Sequence, residues 1–144
     1  MEETFDWLEK VCPIENVFVV TNDKYKELVQ HQLPTITGNQ IICEPDRRNT
    51  APCIAYACFK IEAMNPDARI VVASSDHLII KDDIFKKTIL LSLEQASESD
   101  CLITLGIKPS RPDTGYGYIQ FVDDSSTIDA SIKKVKTFTE KPDE

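Results

Sequence analysis

Asp76 and His77 close the segment Ser74-Ser-Asp-His77, directly after a run of valine and isoleucine. A carboxylate at the tip of a buried strand can take one position of a Mg²⁺ octahedron, with phosphate oxygens and waters completing it. The same pair also fits an Asx turn beside a satisfied loop histidine. Upstream, Glu44-Pro-Asp-Arg-Arg-Asn-Thr-Ala-Pro52 is a polar loop that runs into a helix start. Free N–H groups and the dipole favour an anion there, and two arginines add positive charge. The pattern fits a phosphate or nucleotide contact, and equally a capped helix start with solvated arginines.

Two further clusters lie downstream. Thr114-Gly-Tyr-Gly-Tyr118 alternates glycine with aromatics at a strand start, so backbone groups can approach a ligand closely while a tyrosine flanks it. A β-bulge with half-buried tyrosines reads equally well. Glu140-Lys141-Pro142 sets an acceptor beside a cation, a pairing suited to a sugar phosphate or simply to solvent. The sequence has no P-loop, no Gly-x-Gly-x-x-Gly, no Gly-x-Ser-x-Gly elbow and only two histidines, His31 and His77, which argues against zinc and triad chemistry.

Short runs of valine and isoleucine alternate with stretches of helical period, the pattern of repeated strand–helix–strand units. Strands are expected at 16–20, 40–43, 69–73, 101–106, 116–122 and 133–138. The third has no polar alternation and should be central, covered on both faces. Helices are expected at 23–32, capped by Asn22, at 50–64, capped by Asn49 or Thr50, and from a cap at Asp82 to about residue 97. In the second, Ile54, Ala57, Cys58 and Ile61 form one face that Tyr56 and Phe59 widen, so burial over much of its girth is expected. Pro52 is tolerated because it falls in the first turn. In the third helix Phe85, Ile89, Leu93 and Ala96 point inward. Residues 123–127 form a polar turn, so the last third should be antiparallel or edge-like. The fold class is α/β: a three-layer, Rossmann-like sandwich with a mixed, mainly parallel sheet, its ligand site at the carboxyl ends of the central strands.

The chain has 144 residues, enough for a single domain with its own core, and a globular balance of 42% hydrophobic and 28% charged residues. Its net charge of −8 is evenly spread, without a basic stripe, which sets nucleic acid and anionic membrane aside as partners. Five cysteines without Cys-x-x-Cys spacing read as reduced core residues. No apolar run reaches the ~18 residues needed to cross a bilayer, and the first residues lack the pattern of a signal peptide, so a soluble, cytoplasmic protein is expected.

Taken in order, the clusters resemble successive blocks of the bacterial mannose-1-phosphate guanylyltransferases, members of the sugar-1-phosphate nucleotidyltransferase superfamily. The blocks are Glu44-Pro-x-x-Arg-Asn-Thr-Ala-Pro52, Ser75-Asp-His77, Leu105-Gly-Ile-Lys-Pro109 through Pro112-x-Thr-Gly-Tyr-Gly-Tyr-Ile119, and Phe138-x-Glu-Lys-Pro142. The resemblance implies GTP and mannose 1-phosphate as substrates, GDP-mannose and pyrophosphate as products, and Mg²⁺ as cofactor. It implies Asp76 as metal ligand and catalytic group. Glu44, Arg48, Asn49, Thr50 and Ala51 would contact the nucleotide, with Glu44 facing the guanine N1–H and N2–H donors. Gly115, Tyr116, Gly117 and Tyr118 would line the mannose pocket. Glu140 would hold sugar hydroxyls, and Lys141 would neutralise the sugar phosphate, also as a catalytic group.

Two departures from the family pattern stand out. Ser74 occupies a position where the family has proline, which alters loop stiffness and keeps the carboxylate. No Gly-Gly-x-Gly-x-Arg-x-x-Pro segment stands near the start, and the chain stops soon after Lys141. The expectation is a single partial nucleotidyltransferase domain over 1–144, a core segment with little or no activity by itself and a sheet edge open to self-association. Another sugar-1-phosphate nucleotidyltransferase, or a non-catalytic relative that binds a nucleotide or a partner chain, are the alternative readings.

Overall fold

The computed structural model describes residues 2–122 and 132–140 and divides into two compact units, residues 1–103 and 104–144. The first unit runs α1 (Glu2–Leu8), β1 (Val19–Thr21), α2 (Lys26–Gln32), β2 (Ile41–Cys43), α3 (Thr50–Met64) and α4 (Asp82–Glu98). The second holds β3 (Tyr118–Phe121) and β4 (Val135–Thr139). The chain is therefore α/β, with β1 and β2 parallel and β3 and β4 antiparallel.

The first strand begins later than its composition suggests, at Val19, because Pro13 caps a 3-10 turn over Ile14–Asn16. Asn22 caps as its type predicts: its side chain accepts the Lys24 N–H at 3.0 Å and leads through a 3-10 turn into α2. Parallel strands need a crossover between them, and α2 supplies it. Phe5, Val17, Val29, Leu33, Ile36 and Ile41 then close one small core, with Leu8, Cys12, Ile14, Val19 and Cys43 packed around it.

A buried amide ties this core together. Gln40 Nε2 donates to the carbonyls of Ile14 at 2.7 Å and Val17 at 2.9 Å, while its Oε1 accepts the Thr37 N–H at 2.9 Å. Both ends of the amide are thereby satisfied, as a buried polar group requires.

Four expectations are corrected. Residues 69–73 and 101–106 form no strand: they run without ladder partners, and Val72 and Leu102 are exposed. Apolar β-branched composition suits a strand but does not supply the neighbour that makes one. Helix α3 keeps its expected bounds, yet only Ala57 is buried and Phe59 is exposed, because a sheet two strands wide offers little face for 15 residues to cover. The cap of α4 is Lys81, whose side chain makes no cap bond, and Asp82 lies inside the first turn. There Asp82 accepts from Lys10 Nζ at 2.7 Å, and Phe85 packs edge-on to Trp7 at 4.7 Å.

Helix α1 is an addition to the sequence reading. The expected turn at 123–127 lies outside the described residues. Among the described residues no helix is long and apolar enough to cross a membrane.

Candidate functional site

In the first unit the polar loop begins at the end of β2. The Glu44 N–H donates to the Thr21 carbonyl at 2.8 Å, which carries the β1–β2 pairing one residue past the strand and fixes where the Glu44 side chain departs. Glu44 is half-buried. Burial, followed by the adjacent Glu44 carboxylate, pushes the Cys53 thiol above its usual range, so a cysteine in the first turn of α3 flanks this carboxylate.

The rest of the loop is exposed. Arg48 reaches Asp46 at 3.5 Å with both side chains largely in water, a contact of little strength that leaves the guanidinium at the surface. Asn49 holds the N-cap position with φ 68° and ψ −175°, a conformation that suits glycine, and its side chain makes no cap bond. Thr50 and Ala51 follow as the first exposed residues of α3. Their N–H groups head the helix without a side-chain cap, and the first turn carries no acidic residue. The loop thus gathers Glu44, Arg48, Asn49, Thr50 and Ala51 along one continuous stretch.

Asp76 stands apart from that stretch in sequence, in an exposed turn with His77 after residues 69–73. Among the described residues no group of three or more His, Cys, Asp or Glu side chains is arranged to hold a metal. A single exposed carboxylate does not make a resident metal site. It does fit Mg²⁺ that arrives with phosphate, because that ion keeps several waters and takes one or two carboxylates beside phosphate oxygens.

In the second unit two glycines are each approached by a carboxylate. The Asp113 Oδ1 lies 3.0 Å from where a Cβ on Gly115 would stand, and the Glu140 Oε2 lies 3.1 Å from the corresponding point on Gly117. The first approach is an Asx turn, in which Asp113 Oδ1 accepts the Gly115 N–H at 2.8 Å. The second follows from strand register: Tyr118 pairs with Thr139, which sets Glu140 beside Gly117. Tyr116, between them, is exposed. Lys141 lies outside the described residues.

Asp113 and Cys53 add to the residues that spacing singled out. Asp-Thr-Gly at 113–115 carries the signal of an Asx turn. The approach of Cys53 to Glu44 has no local sequence signal, since it depends on how α3 leaves the loop.

Comparison with known proteins agrees along the chain. A family model described as nucleotidyl transferase matches residues 7–144. Mannose-1-phosphate guanylyltransferase from Escherichia coli is 39% identical over 131 residues, 86% of this chain and 28% of that protein. The Salmonella typhimurium protein of that name, RfbM, is 39% identical over 133 residues, covering 90% of this chain and 27% of its own length. Alginate biosynthesis protein AlgA from Pseudomonas aeruginosa is 34% identical over 128 residues, 88% of this chain and 26% of that protein. The chain thus spans 26–28% of the length of these three relatives.

Proposed function

Given that this chain belongs to the nucleotidyl transferase family, we propose that it is a single partial domain of a mannose-1-phosphate guanylyltransferase, contributing to the transfer of a guanylyl group from GTP to mannose 1-phosphate. The observation that carries this reading is the order of its blocks: the Glu44 loop, Asp76, the Gly115–Gly117 pair and Glu140 occur in family sequence, and relatives named for that activity align across nearly the whole chain.

Each unit would serve one kind of ligand group. In the first, the Glu44 carboxylate reads guanine, because N1–H and N2–H are adjacent donors that a carboxylate accepts together. Arg48, Asn49 and the N–H groups of Thr50 and Ala51 hold phosphate oxygens. Asp76 would hold a Mg²⁺ that accompanies the triphosphate. That ion supplies charge neutralisation at the phosphates.

In the second unit, Gly115, Tyr116 and Gly117 line the sugar, Glu140 accepts from its hydroxyls, and Lys141 pairs with its phosphate. No protein nucleophile is needed. The phosphate oxygen of the sugar attacks the α-phosphorus of GTP in line, a P–O bond forms, and pyrophosphate leaves with the electrons of the broken bond. The work of the protein side chains is positioning and electrostatic stabilisation.

A three-layer, Rossmann-like arrangement with a mixed, mainly parallel sheet belongs to the same reading, supported by the parallel β1–β2 pair and its crossover helix. A cytoplasmic placement is supported by five free cysteines. Association of two copies is supported by the exposed apolar side chains of Ile70 and Val72 in the stretch 69–73. Light scattering that finds only monomer at high concentration contradicts that last point.

Calorimetric titration of the chain with GTP, ATP and dTTP in Mg²⁺ tests the assignment. GTP binds most tightly, and Glu44→Gln removes the preference. A preference for ATP or dTTP instead assigns the chain to a nucleotidyltransferase for another base.

A further inference from the structure

Tyr118 opens β3 and is half-buried. Its hydroxyl lies between two backbone groups of one residue: the Asp113 N–H donates to it at 2.7 Å, and it donates to the Asp113 carbonyl at 3.0 Å. A phenol has a single O–H to give, and Asp113 takes it. Tyr118 is therefore not placed to donate to a sugar hydroxyl.

What the phenol does is hold the loop. Asp113, fixed through its backbone, accepts the Gly115 N–H through its side chain, and the Tyr118 backbone begins the ladder that sets Glu140 beside Gly117. Residues 113–117 are thus clamped at one end by the hydroxyl of Tyr118 and at the other by its backbone.

We propose that Tyr118 is a positioning residue for sugar-phosphate binding, its hydroxyl preordering residues 113–117 so that the Gly117 backbone and the Glu140 carboxylate meet the sugar as a preformed pair. The proposal rests on the sugar-phosphate reading of this unit. A loop already ordered before binding does not have to be ordered by the ligand, and affinity rises accordingly.

The test uses the full 144-residue chain with Tyr118→Phe, which keeps the ring and removes the hydroxyl, and Asp113→Ala, which keeps the phenol and removes the Gly115 contact. Affinity for mannose 1-phosphate and for GTP is measured by calorimetry, and amide hydrogen exchange at Asp113 and Gly115 by NMR. Both variants should bind mannose 1-phosphate about tenfold more weakly, bind GTP as the parent does, melt within a few degrees of it, and exchange the Gly115 amide faster. If Tyr118→Phe exchanges faster yet binds mannose 1-phosphate like the parent, the positioning role is overturned and the family reading stands. Equal losses for GTP and mannose 1-phosphate with a lowered melting temperature reduce Tyr118 to a structural role and also overturn it. A parent that binds GTP but not mannose 1-phosphate overturns the sugar reading itself, and this proposal with it.

Discussion

The Glu140 carboxylate lies against the backbone of Gly117, its Oε2 3.1 Å from the place a Cβ would occupy. Register produces this contact, since Tyr118 and Thr139 pair across the antiparallel strands. Gly117 does not have a positive φ, so alanine fits its backbone. The added methyl would push only the end of a flexible side chain. Gly117→Ala should therefore change stability by less than about 1 kcal/mol while weakening mannose 1-phosphate binding several-fold. Urea denaturation and calorimetry on the same sample separate the two effects.

Asn49 gives the opposite trade. Its backbone, at φ 68° and ψ −175°, costs an L-residue on the order of 1–3 kcal/mol that glycine avoids. Asn49→Gly should raise the urea midpoint, by about 1 kcal/mol in unfolding free energy after the flexibility that glycine adds to the unfolded chain. The same change should weaken GTP binding if the Asn49 side chain contacts the nucleotide. Asn49→Val should destabilise.

These two positions differ in how far sequence reaches them. The Gly-Tyr-Gly-Tyr stretch marked a strand start with close backbone approach, and β3 forms there, though the groups that come close are the chain's own carboxylates. Helix α3 was legible to the residue, because polar loop, proline in the first turn and apolar period are all local. Residues 69–73 were not, because a strand exists only with a partner and pairing is non-local. The conformation of Asn49 and the clamp between Tyr118 and Asp113 come from how the loops close, which no periodicity encodes. Helix α1 was missed since seven residues carry too little pattern, and its burial comes from non-local contacts, Phe5 in the core and Trp7 against Phe85.

Gln40 is a structural keystone that can be tested apart from function. Gln40→Leu leaves the carbonyl of Val17 and the N–H of Thr37 without their partner and removes one of the two donors to the Ile14 carbonyl, which keeps the Val17 N–H. The expected loss is about 1–3 kcal/mol, read from chemical denaturation. A neutral change would show that water reaches these groups.

Alkaline pH should weaken the fold. The Asp82 hydrogen bond, with its charge, holds the Lys10 ammonium above its ordinary value of 10.5, and burial, then Glu15, raises the Cys12 thiol above its ordinary 9.0. Burial raises Cys43 and Cys53 in the same direction. All four groups keep their protons more tightly folded than unfolded, so stability is fully present below the unfolded values and declines as pH rises through the folded ones. The urea midpoint under reducing conditions should fall as pH rises above about 9 through the thiols, and further above about 10.5 through Lys10, with a shallower first fall in Cys12→Ala. A midpoint that rises over this range contradicts the assignment.

The central claim is that Asp76 anchors the Mg²⁺ of a bound guanosine nucleotide, and the melting temperatures of the chain and of Asp76→Ala with GTP or GDP-mannose, each with and without Mg²⁺, test it most directly. Ligand at a hundredfold excess over its dissociation constant stabilises a folded chain by about 2.7 kcal/mol. The parent should gain an increment when Mg²⁺ accompanies the nucleotide, and Asp76→Ala should keep the metal-free gain while losing that increment. Equal Mg²⁺-dependent gains in parent and variant, or no gain with either nucleotide, would contradict the account.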